Sequence, residues 1–503
     1  MTNAVFYSVS PYGTGTLETG SGSITVTNGV ATLSVEQTGN IGVGDCILYA
    51  MAKSWIAPNR IAFTSGGTTE LLTGTKIVGG TSGATGIIRA IEVNSGTWGA
   101  GTAAGWIYFE STTGTWNSSE QINRTKPTSS TNIATTNGSL EGNIGNGNTK
   151  FVVKTATGGT PSDQTVTAVT EVRHEWASLA DFESFFTNSD HINNTSLVAA
   201  DVVVHACCYY DHDDQTADGS NHMYWTTNTT DSTRYLAAYT PVGGSESINN
   251  QRHSGKWNTN KYHMIQNSYG YTFSIRGHTA RFEGLQIYDY YGTGERAITV
   301  SSSGVDTFYV DACIIRTNIG NGIDVDYGTC VCRNTIIYCG TTQDGGSEAI
   351  HLQGSGVAAN VYNCVIYNYN DGLELSNTGT FTVRNCAVFN NADDFDIVHD
   401  VEFCASDDGN GTDEVHWLNG ATDWGNVFVD YSAAIPDFDL NDFSGTGAII
   451  DQGTPLFSAG LWRDIVGTER GSSWDIGAFE YVSAGPSVSI PVIMHHLRQQ
   501  GIA

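Results

Sequence analysis

FEGLQI (282–287), VDACII (310–315), CRNTII (332–337), VYNCVI (361–366) and VRNCAV (383–388) are five versions of one segment. Aligned, they set Leu285, Cys313, Thr335, Cys364 and Cys386 in one column, at spacings of 28, 22, 29 and 22 residues. Recurrence at such a period marks a repeat architecture. A second short segment follows in each unit: AITV (297–300), GIDV (322–325), AIHL (349–352), GLEL (372–375) and DFDI (394–397). Alternation places Ile298, Ile323, Ile350, Leu373 and Phe395 on one side together with Val300, Val325, Leu352, Leu375 and Ile397. Segments this short cannot bury an apolar face alone, so the units must stack around a shared interior.

Leucine-rich repeats have a similar length but need a regular Leu-x-x-Leu-x-Leu frame, which is absent here. Irregular turns between two β-branched strands per unit instead predict an all-β chain wound as a parallel β-helix, with coils about 4.8 Å apart. Asn334, Asn363 and Asn385 recur just before the cysteine column. Asparagine tolerates a left-handed turn, and its amide can hydrogen-bond along a stack of identical turns. The ten cysteines show no paired zinc-site spacing, and the column reads as small buried thiols.

Composition sets the outer limits. Twenty-two Lys+Arg against 51 Asp+Glu give a net charge of −29, which argues against nucleic acid as a partner. Fifty-nine glycines against nine prolines, with 39% hydrophobic residues, describe a turn-dense globular chain. No apolar run is long enough for a membrane helix, so no membrane insertion is expected, and MTNAVFYSVSPYGTG has no basic-then-apolar export signal. No motif calls for a nucleotide or a zinc ion, and no cofactor is required.

Five parts follow from the pattern. Residues 1–170 form an N-terminal β region, opened by a hairpin around Asn28-Gly29 and carrying an inserted β module at about 62–125. Residues 171–199 hold a capping helix and linker, in which Ser178 and Asp181 make a capping-box-like start. The β-helix takes 200–404, with ADVVVHACCYY, RYLAAYTP and YTFSIRG as its earlier, less regular coils. A cap (405–482) and a C-terminal arm (483–503) follow.

Three surface features carry candidate chemistry. The outward column Thr299, Asp324, His351, Glu374 and Asp396 would set polar groups about 5 Å apart, near the carboxylate separation of retaining glycosidases. Asp324, His351, Glu374 and Asp396 are therefore the candidate catalytic set; a solvated strand face gives the same column without catalysis. Tyr288, Tyr290, Tyr291, Tyr338, Tyr367, Tyr369 and Phe389 follow the first strand of successive coils. Tyr290, Tyr291 and Tyr369 are the candidate carbohydrate-stacking residues, or core if they point inward. Asp407, Asp408, Asn410 and Asp413 form an oxygen-rich, glycine-containing run that could hold calcium or be a plain turn; Asp211–Asp214 is a second acidic loop.

The coil pattern, NQRHSGKWNTNKY (250–262) and the closing WDIGAFEY (474–481) resemble right-handed parallel β-helix repeat proteins of phages and bacteria. GGTSGATGIIRAI with SGTWGAGTAAGWIYFESTTGTW is similar to a β module of phage structural proteins. The resemblance implies a structural or adhesive virion protein: a capsid-decorating, fibre or tailspike-like component on the virion surface. Its partners would be other virion proteins, its own copies as a homo-oligomer such as a trimer, and a host surface glycan. The alternatives are a polysaccharide hydrolase or lyase on the same cylinder, and an extracellular adhesin of the bacterial cell surface.

Overall fold

The computed structural model describes residues 2–483 except 12–15, 20–21, 211–216, 221–222, 226–228, 277–278, 292–294, 342–345, 397, 399, 408–415, 418–420 and 446–447. The chain is a right-handed parallel β-helix preceded by an antiparallel β region. Among the described residues, three parallel sheets of nine, eight and seven strands run along the cylinder.

One coil shows the plan. Thr329–Arg333 lies in the first sheet, Ile336–Cys339 in the second and Glu348–Leu352 in the third. The repeat thus has three strands, where the sequence pattern predicts two. The cause is a single residue: Asn334 sits at φ 49° and folds the expected first strand across a corner. Ala312, Asn363, Asn385 and Phe403 take the same left-handed conformation at the equivalent corner, with φ of 50°, 52°, 56° and 54°. A one-residue corner carries no glycine–proline punctuation, so it is invisible to turn signals.

The corner asparagines form a ladder. Asn385 Nδ2 donates to Asn363 Oδ1 at 2.9 Å, Asn363 reaches Asn334 Oδ1 at 3.5 Å, and Asn334 Nδ2 donates to Asp311 Oδ1 at 3.2 Å. Behind it, Leu285, Cys313, Thr335, Cys364 and Cys386 are fully buried. None of the ten cysteines is in a disulfide and all are buried, and burial pushes the Cys313 thiol up to about 12. Such thiols are packing groups, not nucleophiles.

The cylinder is in register throughout. Ile298, Ile323, Ile350, Leu373 and Phe395 face one another through the third sheet, continuous with the main core. At one end the helix Leu179–Phe185 plugs Leu179 and Phe182 into that core, and Ser178 Oγ accepts the Asp181 N–H at 3.0 Å.

Asn3–Val9 is the edge strand of the first sheet, paired parallel to Val202–Cys208 over seven residues. Its side chains serve two cores: Val5, Tyr7 and Val9 the cylinder, Ala4 and Phe6 the antiparallel region. Between this strand and the coils the chain builds an eight-stranded antiparallel sheet and a closed six-stranded barrel from Arg60–Gly66 to Ser130–Thr136. The C-terminal segment folds back onto the second sheet, where Ile476, Ala478 and Phe479 cluster with Ile336, Val365 and Ala387.

The asparagine ladder should be measurable as stability. Asn363→Ala loses two ladder contacts and forces alanine into the left-handed region, so we expect a loss of about 2–3 kcal/mol in denaturant unfolding. Asn363→Gly keeps the turn and should lose about 1 kcal/mol less. Equal losses for the two variants would refute the left-handed corner.

Candidate functional site

The third sheet presents the polar column to the outside, and its register fixes which side chains meet. Asp324 is paired with His351 and His351 with Glu374 on successive coils, and Glu374 with Asp396 on the next. One column earlier, Arg296, Asn321, Glu348 and Asp371 add their heads. The sequence-predicted set therefore does assemble, but as a gradient of burial. Asp324 is 1% exposed and His351 7%, whereas Glu374 and Asp396 reach solvent.

His351 is the hub. Its Nδ1 lies 3.1 Å from Asp324 Oδ1, and its Nε2 lies 2.8 Å from Ser376 Oγ and 3.6 Å from Glu374 Oε2. Ser376 Oγ in turn donates to Glu374 Oε1 at 2.7 Å. Arg296 ion-pairs with the other oxygen of Asp324. An imidazolium suits this chain: Nε2 donates to Ser376, which donates to Glu374, while Nδ1 faces Asp324 as an ion pair.

The electrostatics agree with that state. Burial opposes the charge on His351, but the hydrogen bond and charge of Asp324, then Glu374 and Glu348, outweigh it and hold its pKa above the ordinary value. Burial raises Glu348, opposed by His351 and reinforced by Glu374. Asp371 and Asp396 are raised as well, by burial first and then by neighbouring carboxylates. Glu348, His351 and Glu374 also bring three ligand atoms within 4.8 Å of one another, a nitrogen-and-oxygen set that could hold a divalent cation.

Sequence reasoning missed Ser376, Arg296 and Glu348. Ser376 lies two residues beyond Glu374, on the same outward side of the chain, and that parity was the available signal. Arg296 and Glu348 open their strands three residues before Thr299 and His351, out of step with the strand alternation, so parity gave no signal for them.

The aromatic candidates separate. Tyr290 and Tyr291 are each 53% exposed at the corner between the second and third sheets, and Tyr269 on the preceding coil is 74% exposed. Tyr290 N–H bonds to Gln266 O at 3.0 Å and Asn318 Nδ2 to Tyr290 O at 3.2 Å, so the corner is tied to both neighbouring coils. Tyr369 is corrected: it is fully buried in the cylinder core, with its hydroxyl accepting from Thr317 Oγ1 at 3.0 Å. The left-handed Asn368 before it, at φ 67°, turns the chain so that the ring points inward. Tyr338, Tyr367 and Phe389 point outward but are roofed by the chain's own Phe438, and Trp424 stacks on Phe389 at 4.0 Å.

Of the proposed calcium run, Asp407 accepts the Asn390 N–H at 2.8 Å, while Asp408, Asn410 and Asp413 lie outside the described residues, as do Asp211–Asp214 and the arm from 484 onward. A scan against protein-family models, a search of curated proteins and a search of solved structures each returned no match.

The His351 network predicts a pH signature. A raised folded-state pKa stabilises fully below the ordinary histidine value and less as pH rises through the folded value. Wild type should therefore lose stability as pH rises above the ordinary histidine value, a slope absent from His351→Gln. Asp324→Asn should lower the His351 pKa in an NMR titration and cost about 3 kcal/mol, since it leaves buried partners uncompensated. An unchanged His351 titration in Asp324→Asn contradicts the network.

Proposed function

We propose that this protein is a structural and adhesive β-helix of a phage particle, built to hold a fixed surface against a host glycan or a neighbouring subunit. The observation that carries the adhesive reading is the rigid corner bearing Tyr269, Tyr290 and Tyr291. Large aromatic rings left exposed together on a hydrogen-bonded scaffold suit stacking against sugar rings, and their fixed spacing lowers the entropy lost on binding. The net charge of −29 and the β module similar to those of phage structural proteins favour a soluble virion surface component.

A polysaccharide-active enzyme is the second reading, and one observation favours it. Asp324, His351 and Ser376 stand in the order carboxylate–Nδ1, Nε2–hydroxyl, the relation of an acyl-transfer triad, and Ser376 is exposed. That arrangement would suit cleavage of an acyl ester on a glycan. Two features weigh against it: Glu374 takes the Ser376 proton, and the carboxylates around His351 favour the imidazolium, which cannot act as a base.

Glycan-surface binding by the full chain separates the two. Tyr290→Ala/Tyr291→Ala should weaken retention on host surface polysaccharide at least tenfold with the fold intact, while Ser376→Ala leaves it unchanged. Release of acyl groups that is lost in Ser376→Ala would overturn the adhesive reading in favour of the enzyme. Mass spectrometry of purified particles should find the protein in stoichiometric amount, and its absence from them would remove the virion role.

A further inference from the structure

A cavity of about 390 Å³ opens on the outer side of the first sheet, away from both the His351 network and the tyrosine corner. Three separate parts of the chain wall it. The cylinder contributes His205, Tyr235, Arg281 and Tyr309, the barrel contributes Leu72–Gly74 and Arg89, and the segment Ala459–Arg463 closes the third side. The walls are fastened to one another: Trp462 Nε1 donates to Gly74 O at 2.8 Å, and Arg89 bridges from the barrel to Glu246 and Glu283 at 2.5 and 2.7 Å. The volume lies within the range of small-molecule sites, about 300–1,000 Å³.

The other arginines that line it, Arg89, Arg333 and Arg463, each have a carboxylate partner. Arg89 faces Glu110, Glu246 and Glu283; Arg463 pairs with Glu110 and Arg333 with Asp311. Arg281 has no carboxylate and no hydrogen-bond acceptor among the described residues, and its Nε is buried without a partner. The rings of Tyr235 and Tyr309 flank its guanidinium at 4.1 and 4.6 Å. Cation–π contact occupies the faces of the group and leaves its N–H edge for an acceptor lying in its plane.

A second unsatisfied group lines the same cavity. His205 is 5% exposed and its Nδ1 has no partner among the described residues. Burial, and then the charge of Arg89, push its pKa down to about 3, so the ring is neutral and offers one more hydrogen bond without adding charge. Arg281 and His205 thus bring two side chains with unused hydrogen-bonding capacity to one cavity wall.

We propose that this cavity binds a small carboxylate-bearing molecule, with the carboxylate on the Arg281 fork and its body between Tyr235, Tyr309 and His205. A planar oxyanion matches the guanidinium edge. A single arginine without a carboxylate partner suits a monoanion better than the dianion of a phosphate ester, because Glu110, Glu283 and Asp311 would repel the second charge. A uronic acid is the simplest probe of this size and charge. The site is independent of the tyrosine corner and stands whether or not that corner binds glycan.

Calorimetry on the full chain with glucuronate, glucose and glucose 6-phosphate tests it. Glucuronate should bind at least tenfold more tightly than glucose, and Arg281→Gln should lose that difference. Arg281→Lys, which keeps the charge without the fork, should lose most of it. Should Arg281→Gln fail to fold, wild-type discrimination between glucuronate and glucose still decides. No glucuronate binding, or equal binding of glucose, overturns the site; tighter binding of glucose 6-phosphate overturns the carboxylate assignment.

Discussion

Six successive coils turn through a left-handed residue at the same corner, and this holds the columns inside the cylinder in line. Gly284, Ala312, Asn334, Asn363, Asn385 and Phe403 all occupy it, with φ between 49° and 70°. Where the residue is asparagine, the amide both relieves the conformation and satisfies its neighbour, so the strained position also links the stack. Strands of three to five residues would not hold a register alone. Fixed corners remove the one-residue slip that would turn every buried Ile, Val and Leu outward.

With the cylinder fixed, the rest of the chain distributes itself over its faces. The antiparallel region covers part of the first sheet through Phe6, Tyr209 and Tyr239, and the C-terminal fold covers the second through Trp424, Phe438 and Phe479. The charged column stays on the third sheet, where crowded carboxylates are compensated by His351 and Arg296. That division explains why one face reads as chemistry and the others as packing. It also explains why Asp324, the most buried acid of the column, is tied into an ion-pair network and not offered to solvent.

The sequence exposed the cylinder well because stacked coils repeat their own chemistry: the cysteine column, the asparagine corner and the alternating Ile/Val pairs are local and periodic. Asp324, His351 and Glu374 were legible for the same reason. Ser376 was not, since it belongs to the corner beyond the strand and its role depends on the neighbouring coil. Tyr369 misled because its spacing continues the aromatic series while Asn368 reverses its direction. Asn3–Val9 and the roof over Tyr338 and Phe389 are contacts between segments far apart in the chain, which no local pattern encodes.

Parallel stacking is the claim on which the architecture rests, and a distance tests it directly. Thr307, Thr329, Ala358 and Thr380 occupy one position on successive coils. Since the native cysteines are buried, nitroxide labels on Thr307→Cys and Thr380→Cys would attach selectively. Three coil steps predict a Cα separation of about 14 Å, and a narrow dipolar distribution centred within about 10 Å of it once label arms are included. A broad distribution, or one centred well beyond 30 Å, would contradict the cylinder.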